Sequence, residues 1–112
     1  FSSYNSQIKA AKINEKIADA QFQDNIILLE NKIEILQKHL KMIKDDMAYY
    51  EDFALKQADE IMNVALRSYQ EGEIDFFNYI QSMENAINIK LSYLDKLYEY
   101  NNTIISLNNL SL

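Results

Sequence analysis

Tyr69-Gln70-Glu71-Gly72-Glu73-Ile74-Asp75 holds the only glycine of a 112-residue chain that contains no proline. Glycine and proline are the two strongest helix breakers, so nearly every other backbone position is free to be helical. The stretch therefore predicts one tight turn between two long helices. Gly72 offers the left-handed backbone that closes a helix C-terminus, a conformation few other residues adopt cheaply. Asp75 is a good N-cap for the helix that follows. Ile74 before it is placed to staple onto Tyr79, four residues beyond the cap. The spans read as a helix from about 4 to 70, a turn over 71–75 and a helix from about 76 to 110.

Upstream of the turn, the apolar residues from Phe22 to Tyr50 follow a seven-residue repeat. Ile26, Ile33, Leu40 and Met47 share one position. Leu28, Ile35, Met42 and Tyr49 share a second, and Leu29, Leu36, Ile43 and Tyr50 a third. Such a stripe marks a helix in a coiled-coil-like seam. Beyond Tyr50 the seam steps through Ala54, Ala58, Ile61, Ala65 and Tyr69. Its four-residue steps act as a stutter, which locally unwinds a left-handed supercoil and straightens the helix.

Downstream, the columns of the second helix separate cleanly. Gln81, Asn88, Asp95, Asn102 and Asn109 form one polar column, and Asn78, Asn85, Ser92, Glu99 and Ser106 another. Opposite them stand Ile80, Ile87 and Leu94, flanked by Phe77, Leu91, Tyr98 and Ile105 on one side. Tyr79, Ala86, Tyr93, Tyr100 and Leu107 flank them on the other. This face is wider than a two-helix seam needs, and predicts a helix packed between two neighbours.

The two helices differ in length. The first would span on the order of 100 Å at ~1.5 Å per residue, and the second about half that. A second helix folded back covers only the later half of the first, so the stripe from Ile8 to Leu36 is expected to meet other chains or a further part of the protein. The alternative is a break at Lys44-Asp45-Asp46, where either aspartate could cap a new helix and give a three-helix bundle.

Composition narrows the function. The net charge of −6 argues against nucleic acid and against an anionic membrane surface, both of which call for clustered Lys and Arg. After Arg67 the only basic residues are Lys90 and Lys96, so the turn end is acidic. The absence of cysteine excludes disulfides, thiolate metal sites and cysteine catalysis. No uninterrupted apolar run is long enough to span a bilayer as a helix. Phe1-Ser2-Ser3-Tyr4 has no signal-peptide character, and the opening on Phe1 is read as that of a segment from a longer protein.

Little in the chain points to catalysis or metal binding. His39, the only histidine, stands one turn from Met42, but a stable metal site needs three or four converging ligands. The pair is read as a solvent-edge histidine beside a core methionine. Met47, Met62 and Met83 fall on apolar stripes and are read as core fillers. Asp45-Asp46 and Glu51-Asp52 lack calcium-loop spacing and are read as a solvated face or a helix cap. Glu71, Glu73 and Asp75 have neither an apolar shell nor a partner base to make them catalytic. Tyr49, Tyr50, Tyr69, Tyr79, Tyr93, Tyr98 and Tyr100 lie largely on packing stripes. No phosphate loop, nucleophile elbow or triad is found, and no enzyme activity or cofactor is expected.

Ser68-Tyr69-Gln70-Glu71-Gly72-Glu73-Ile74-Asp75-Phe76-Phe77-Asn78-Tyr79-Ile80-Gln81 is followed by Ala86, Tyr93-Leu94-Asp95-Lys96-Leu97, Tyr100-Asn101 and a Leu-rich end. This resembles the second helical hairpin of the TolC-type outer-membrane efflux factors, and most of all their heavy-metal (CusC/CzcC-like) branch. The resemblance is specific from about Ala65 to Leu110 and generic before that. Ile8-Lys9-Ala10-Ala11-Lys12 also looks like the start of the family's helix.

The resemblance implies an all-α fold, a long antiparallel coiled-coil-like hairpin forming a segment of a periplasmic α-barrel. Three subunits would self-associate through their helix faces into a tube in the cell envelope. The tip, Tyr69, Gln70, Glu71, Gly72, Glu73, Ile74, Asp75 and Phe76, would meet a periplasmic adaptor (membrane-fusion) protein. The duct would conduct substrate, heavy-metal cations in this branch, for an inner-membrane resistance-nodulation-division pump. In some relatives the unit is fused to the C-terminal end of a metal-cation pump, which the ending at Leu112 would fit. Drug-exporting members carry acidic residues where this chain has Asn78 and Gln81, so charge-based gating at the tip is not carried over. Two rival readings share the helical shape. An adaptor's own α-hairpin would need a spaced Arg, Leu and Ser around its turn, and Arg67 here lacks that continuation. A stand-alone interaction bundle would need the closure at Asp45-Asp46.

Overall fold

The computed structural model describes residues 1–111; Leu112, and with it the reading of the chain's end, lies outside them. The elements are α1 (Ser2–Tyr49), a π-helical turn (Tyr50–Ala54), α2 (Leu55–Gln70) and α3 (Phe76–Ser111). No strand occurs among the described residues. The chain is an all-α helical hairpin, as its single glycine predicts. The helix runs unbroken through Lys44-Asp45-Asp46, so the capped break of the three-helix alternative is not formed.

Residues Phe1–Leu36 make one unit and the residues from Gln37 onward another. The first unit is helix throughout after Phe1. It has no breaker and is rich in good helix formers such as Ala10-Ala11, Lys12, Glu15 and Lys16. No residue in it is buried; Ile26, Ile33 and Leu36 are half-buried. Tyr4, Ile8, Ile13, Ile17, Phe22, Ile27, Leu28, Leu29 and Ile35 are exposed.

The second unit holds the core. Ile43, Ala54, Ala58 and Ala65 are buried on the first arm, and Ala86 and Thr103 on α3. Half-buried Met47, Tyr50, Ile61 and Ser68 fill the steps between them. Toward the turn the buried side chains are alanines. Small contact residues let two helices approach closely, since interaxial distance follows side-chain size. The polar Thr103 is satisfied locally, its Oγ1 donating to the Glu99 carbonyl at 2.8 Å.

The four-residue steps begin where the π-helical turn lies. There the Leu55 N–H donates to the Tyr50 carbonyl, five residues back. The sequence predicts a stutter at this point, and the helix absorbs it as a widened turn. Ala54, at its end, and Ala58, four residues on, are both buried.

The wide apolar arc of α3 is split between two environments. Tyr79, Ala86, Tyr93, Tyr100 and Leu107 are buried or half-buried. The column Ile80, Ile87, Leu94 and its far flank Phe77, Leu91, Tyr98, Ile105 are exposed, Phe77 and Tyr98 by 72% and 70%. Within the described residues from Gln37 onward, α3 has one helical neighbour where the sequence predicts two.

Candidate functional site

The tip is built by local backbone chemistry. Gly72 has φ +75°, in the left-handed region, and is the only residue with positive φ among those described. The Glu73 N–H donates to the Ser68 carbonyl at 2.8 Å and the Gly72 N–H to the Tyr69 carbonyl at 3.1 Å. These two bonds make a complete Schellman C-cap. A Cβ at Gly72 would meet nothing within 4 Å, so the demand for glycine comes from φ alone. On the other side of the turn the Asn78 N–H donates to Asp75 Oδ1 at 2.8 Å, the N-cap that the sequence predicts. The Tyr79 N–H donates to the Asp75 carbonyl at 3.0 Å and starts α3.

Aromatic rings brace the two helix ends. Tyr69 stacks on Tyr79 with centroids 5.1 Å apart and meets Phe76 edge-on at 6.0 Å. Of the eight residues assigned to the tip, Tyr69, Gln70, Glu71, Gly72, Glu73, Asp75 and Phe76 are exposed, and Ile74 is half-buried. Ile74 joins Val64, Ala65, Ser68 and Ser82 in lining a groove of about 370 Å³ beside the turn. The tip thus presents two free acidic side chains, Glu71 and Glu73, on a rigid frame, while the Asp75 carboxylate is committed to the cap.

Polar contacts tie α3 to the first arm. Lys90 Nζ lies 2.7 Å from Asp59, Lys96 Nζ 3.3 Å from Asp46, and His39 Nε2 2.9 Å from Glu99. Tyr93 Oη donates to Glu51 Oε1 at 2.8 Å beside the π-helical turn, where the Tyr93 ring also faces Tyr50 at 6.0 Å. Donation to the Glu51 carboxylate holds the Tyr93 hydroxyl above the usual tyrosine range. Lys96 is held above the usual lysine range by its bond to Asp46, with Glu99 adding to the effect. These contacts lie on the inner flank of α3, where sequence reasoning placed no functional residue. Lys90 and Lys96 look like solvated charges in a linear sequence, and Thr103 carries no apolar signal.

His39 is half-exposed with its Nε2 within hydrogen-bond distance of Glu99, and Met42 is 53% exposed rather than core. Among the described residues no three His, Cys, Asp or Glu side chains group as a metal site. The chain matches no protein-family model, no curated protein and no solved structure.

Proposed function

We propose that this chain is an assembly segment: a helical hairpin that joins other helices through its open faces and docks a partner through its acidic tip. The observation that carries the reading is α3, with one apolar face packed inside the hairpin and a second exposed along the same helix. Monomeric soluble proteins rarely leave so long an apolar stripe uncovered. The rigid tip supports the docking part, because a preorganised turn loses little entropy when it binds.

In its finer form the reading is the periplasmic helical segment of an outer-membrane efflux duct for heavy-metal cations. The duct assembles from copies in the cell envelope, meets an adaptor at the tip and serves an inner-membrane pump. The resemblance from Ala65 to Leu110 supports it, as does the coincidence of that resemblance with the capped turn. No helix among the described residues is long and apolar enough to cross a membrane.

The test is genetic. Cells lacking the parent gene, and cells carrying Gly72→Val in it, are challenged with copper, silver, zinc and cobalt salts. Valine at φ +75° strains the cap by about 1 kcal/mol or more, so the variant should fall between wild type and deletion in the metal concentration it tolerates. Unchanged tolerance to every cation in the deletion strain would overturn the duct and leave the assembly segment standing.

A further inference from the structure

The open face of α3 has the grammar of a two-helix seam with its own symmetry. Phe77, Ile80, Ile87, Leu91, Leu94, Tyr98 and Ile105 occupy its two heptad positions, and all are exposed. Glu84 and Asn101 interrupt the stripe and are exposed as well. Their placement is symmetric. Glu84 lies seven residues before Leu91, and Asn101 lies seven after Leu94.

In an antiparallel coiled coil the first heptad position of one helix faces the second of its partner. A two-fold axis passing between Leu91 and Leu94 therefore sets Leu91 against the partner's Leu94 and Ile87 against the partner's Tyr98. It sets Ile80 against the partner's Ile105, and at the ends of the seam Phe77 against the partner's Asn108. The two polar interruptions meet each other, Glu84 against the partner's Asn101, an amide donor facing a carboxylate acceptor. The flanks agree. Asn88 falls beside the partner's Asp95, Gln81 beside the partner's Asn102, and Lys90 beside the partner's Leu97, so no like charges are opposed. A parallel pair would instead set Glu84 against Glu84, two carboxylates in one seam.

We infer that the outer seam of α3 pairs antiparallel with α3 of a second copy of this chain, centred on Leu91 and Leu94. The inference rests on the assembly reading and not on the duct. A duct points every hairpin tip one way and this pair points two tips in opposite directions, so the two exclude one another on this face. The antiparallel cross-link counts against the duct while leaving the assembly segment standing.

The chain has no cysteine, so introduced thiols report the register directly. Ile80→Cys and Ile105→Cys are made separately, both at exposed positions far from the axis, and far-UV circular dichroism checks that each keeps its helicity. Under mild oxidation a mixture of the two variants should form a disulfide-linked heterodimer through the two new thiols, while neither variant alone cross-links. A second variant, Asn101→Lys, should tighten association several-fold by setting an ammonium against the partner's Glu84. Cross-linking of Ile80→Cys with itself, or weaker association of Asn101→Lys, would overturn the antiparallel pair and leave the assembly reading intact. A strictly monomeric wild-type chain at every concentration would overturn both.

Discussion

Residues Phe1–Leu36 and the residues from Gln37 onward are written in the same heptad grammar, yet only the latter contain a core. The first unit has no buried residue, whereas the second buries Ile43, Ala54, Ala58, Ala65, Ala86 and Thr103. The difference is not one of hydrophobicity. Ile13, Ile17, Phe22 and Ile35 are larger than the alanines that are buried. A heptad pattern specifies a face, and burial requires a second face opposite it. Turning the chain at Gly72 supplies that second face to the later part of the first arm. α3 repeats the lesson on a single helix, with its inner columns covered and its outer columns open.

The sharpest way to break the comparison is to make one substitution in both units. Ile43→Ala, at a fully buried site, should lower unfolding free energy by about 2–5 kcal/mol. Ile17→Ala, at a site 51% exposed, should stay within about 0.5 kcal/mol. Urea titrations at one fixed chain concentration measure both, and equal effects would remove the distinction. Ala58→Leu probes the close alanine contact from the opposite direction. Overpacking there should cost about 1–3 kcal/mol, and a neutral result would mean that the helices are not held together closely at that point.

Asp75→Ala tests the turn itself. Losing the carboxylate that accepts the Asn78 N–H should cost about 1 kcal/mol, read as a lower midpoint with unchanged slope in the same titration. The smallest effect is alkaline. Tyr93 and Lys96 are both held above their ordinary pKa values, by Glu51 and by Asp46 first. Their stabilising contribution is therefore complete at neutral pH and fades as pH rises through the raised values. Both lie toward the surface, so the change is small. Tyr93→Phe should shrink the alkaline loss of stability relative to wild type, and an identical alkaline profile in the variant would discard the Tyr93–Glu51 contribution.

The parts of the fold that depend on local chemistry were legible in the sequence. Gly72 must adopt positive φ and Asp75 must cap, so the turn, its boundaries and both helices follow from seven residues. The periodicity after Tyr50 located a change of step, but nothing in the residues distinguishes a stutter from a π-helical turn. Which side of the wide α3 arc faces inward was not legible. The inner side carries Tyr79, Tyr93, Tyr100 and Leu107 with the small or polar Ala86 and Thr103 among them, while the outer side carries Ile80, Ile87, Leu91 and Leu94, so apolar patterning alone does not rank the two. Covering small residues permits close packing, and Lys96 and Lys90, bonded to Asp46 and Asp59, flank the seam while staying partly in contact with solvent. The tip is legible as a shape. What binds it is not, because two exposed carboxylates on a rigid turn suit many basic partners.

The most direct test of the account is light scattering coupled to size exclusion, run over a concentration series on the wild-type chain and on Leu91→Asp/Leu94→Asp. The account predicts a concentration-dependent oligomer for wild type, and for the variant weaker association with unchanged helicity. A monomeric wild type across the series, or a variant that associates as wild type does, would contradict the claim that the outer face of α3 joins chains.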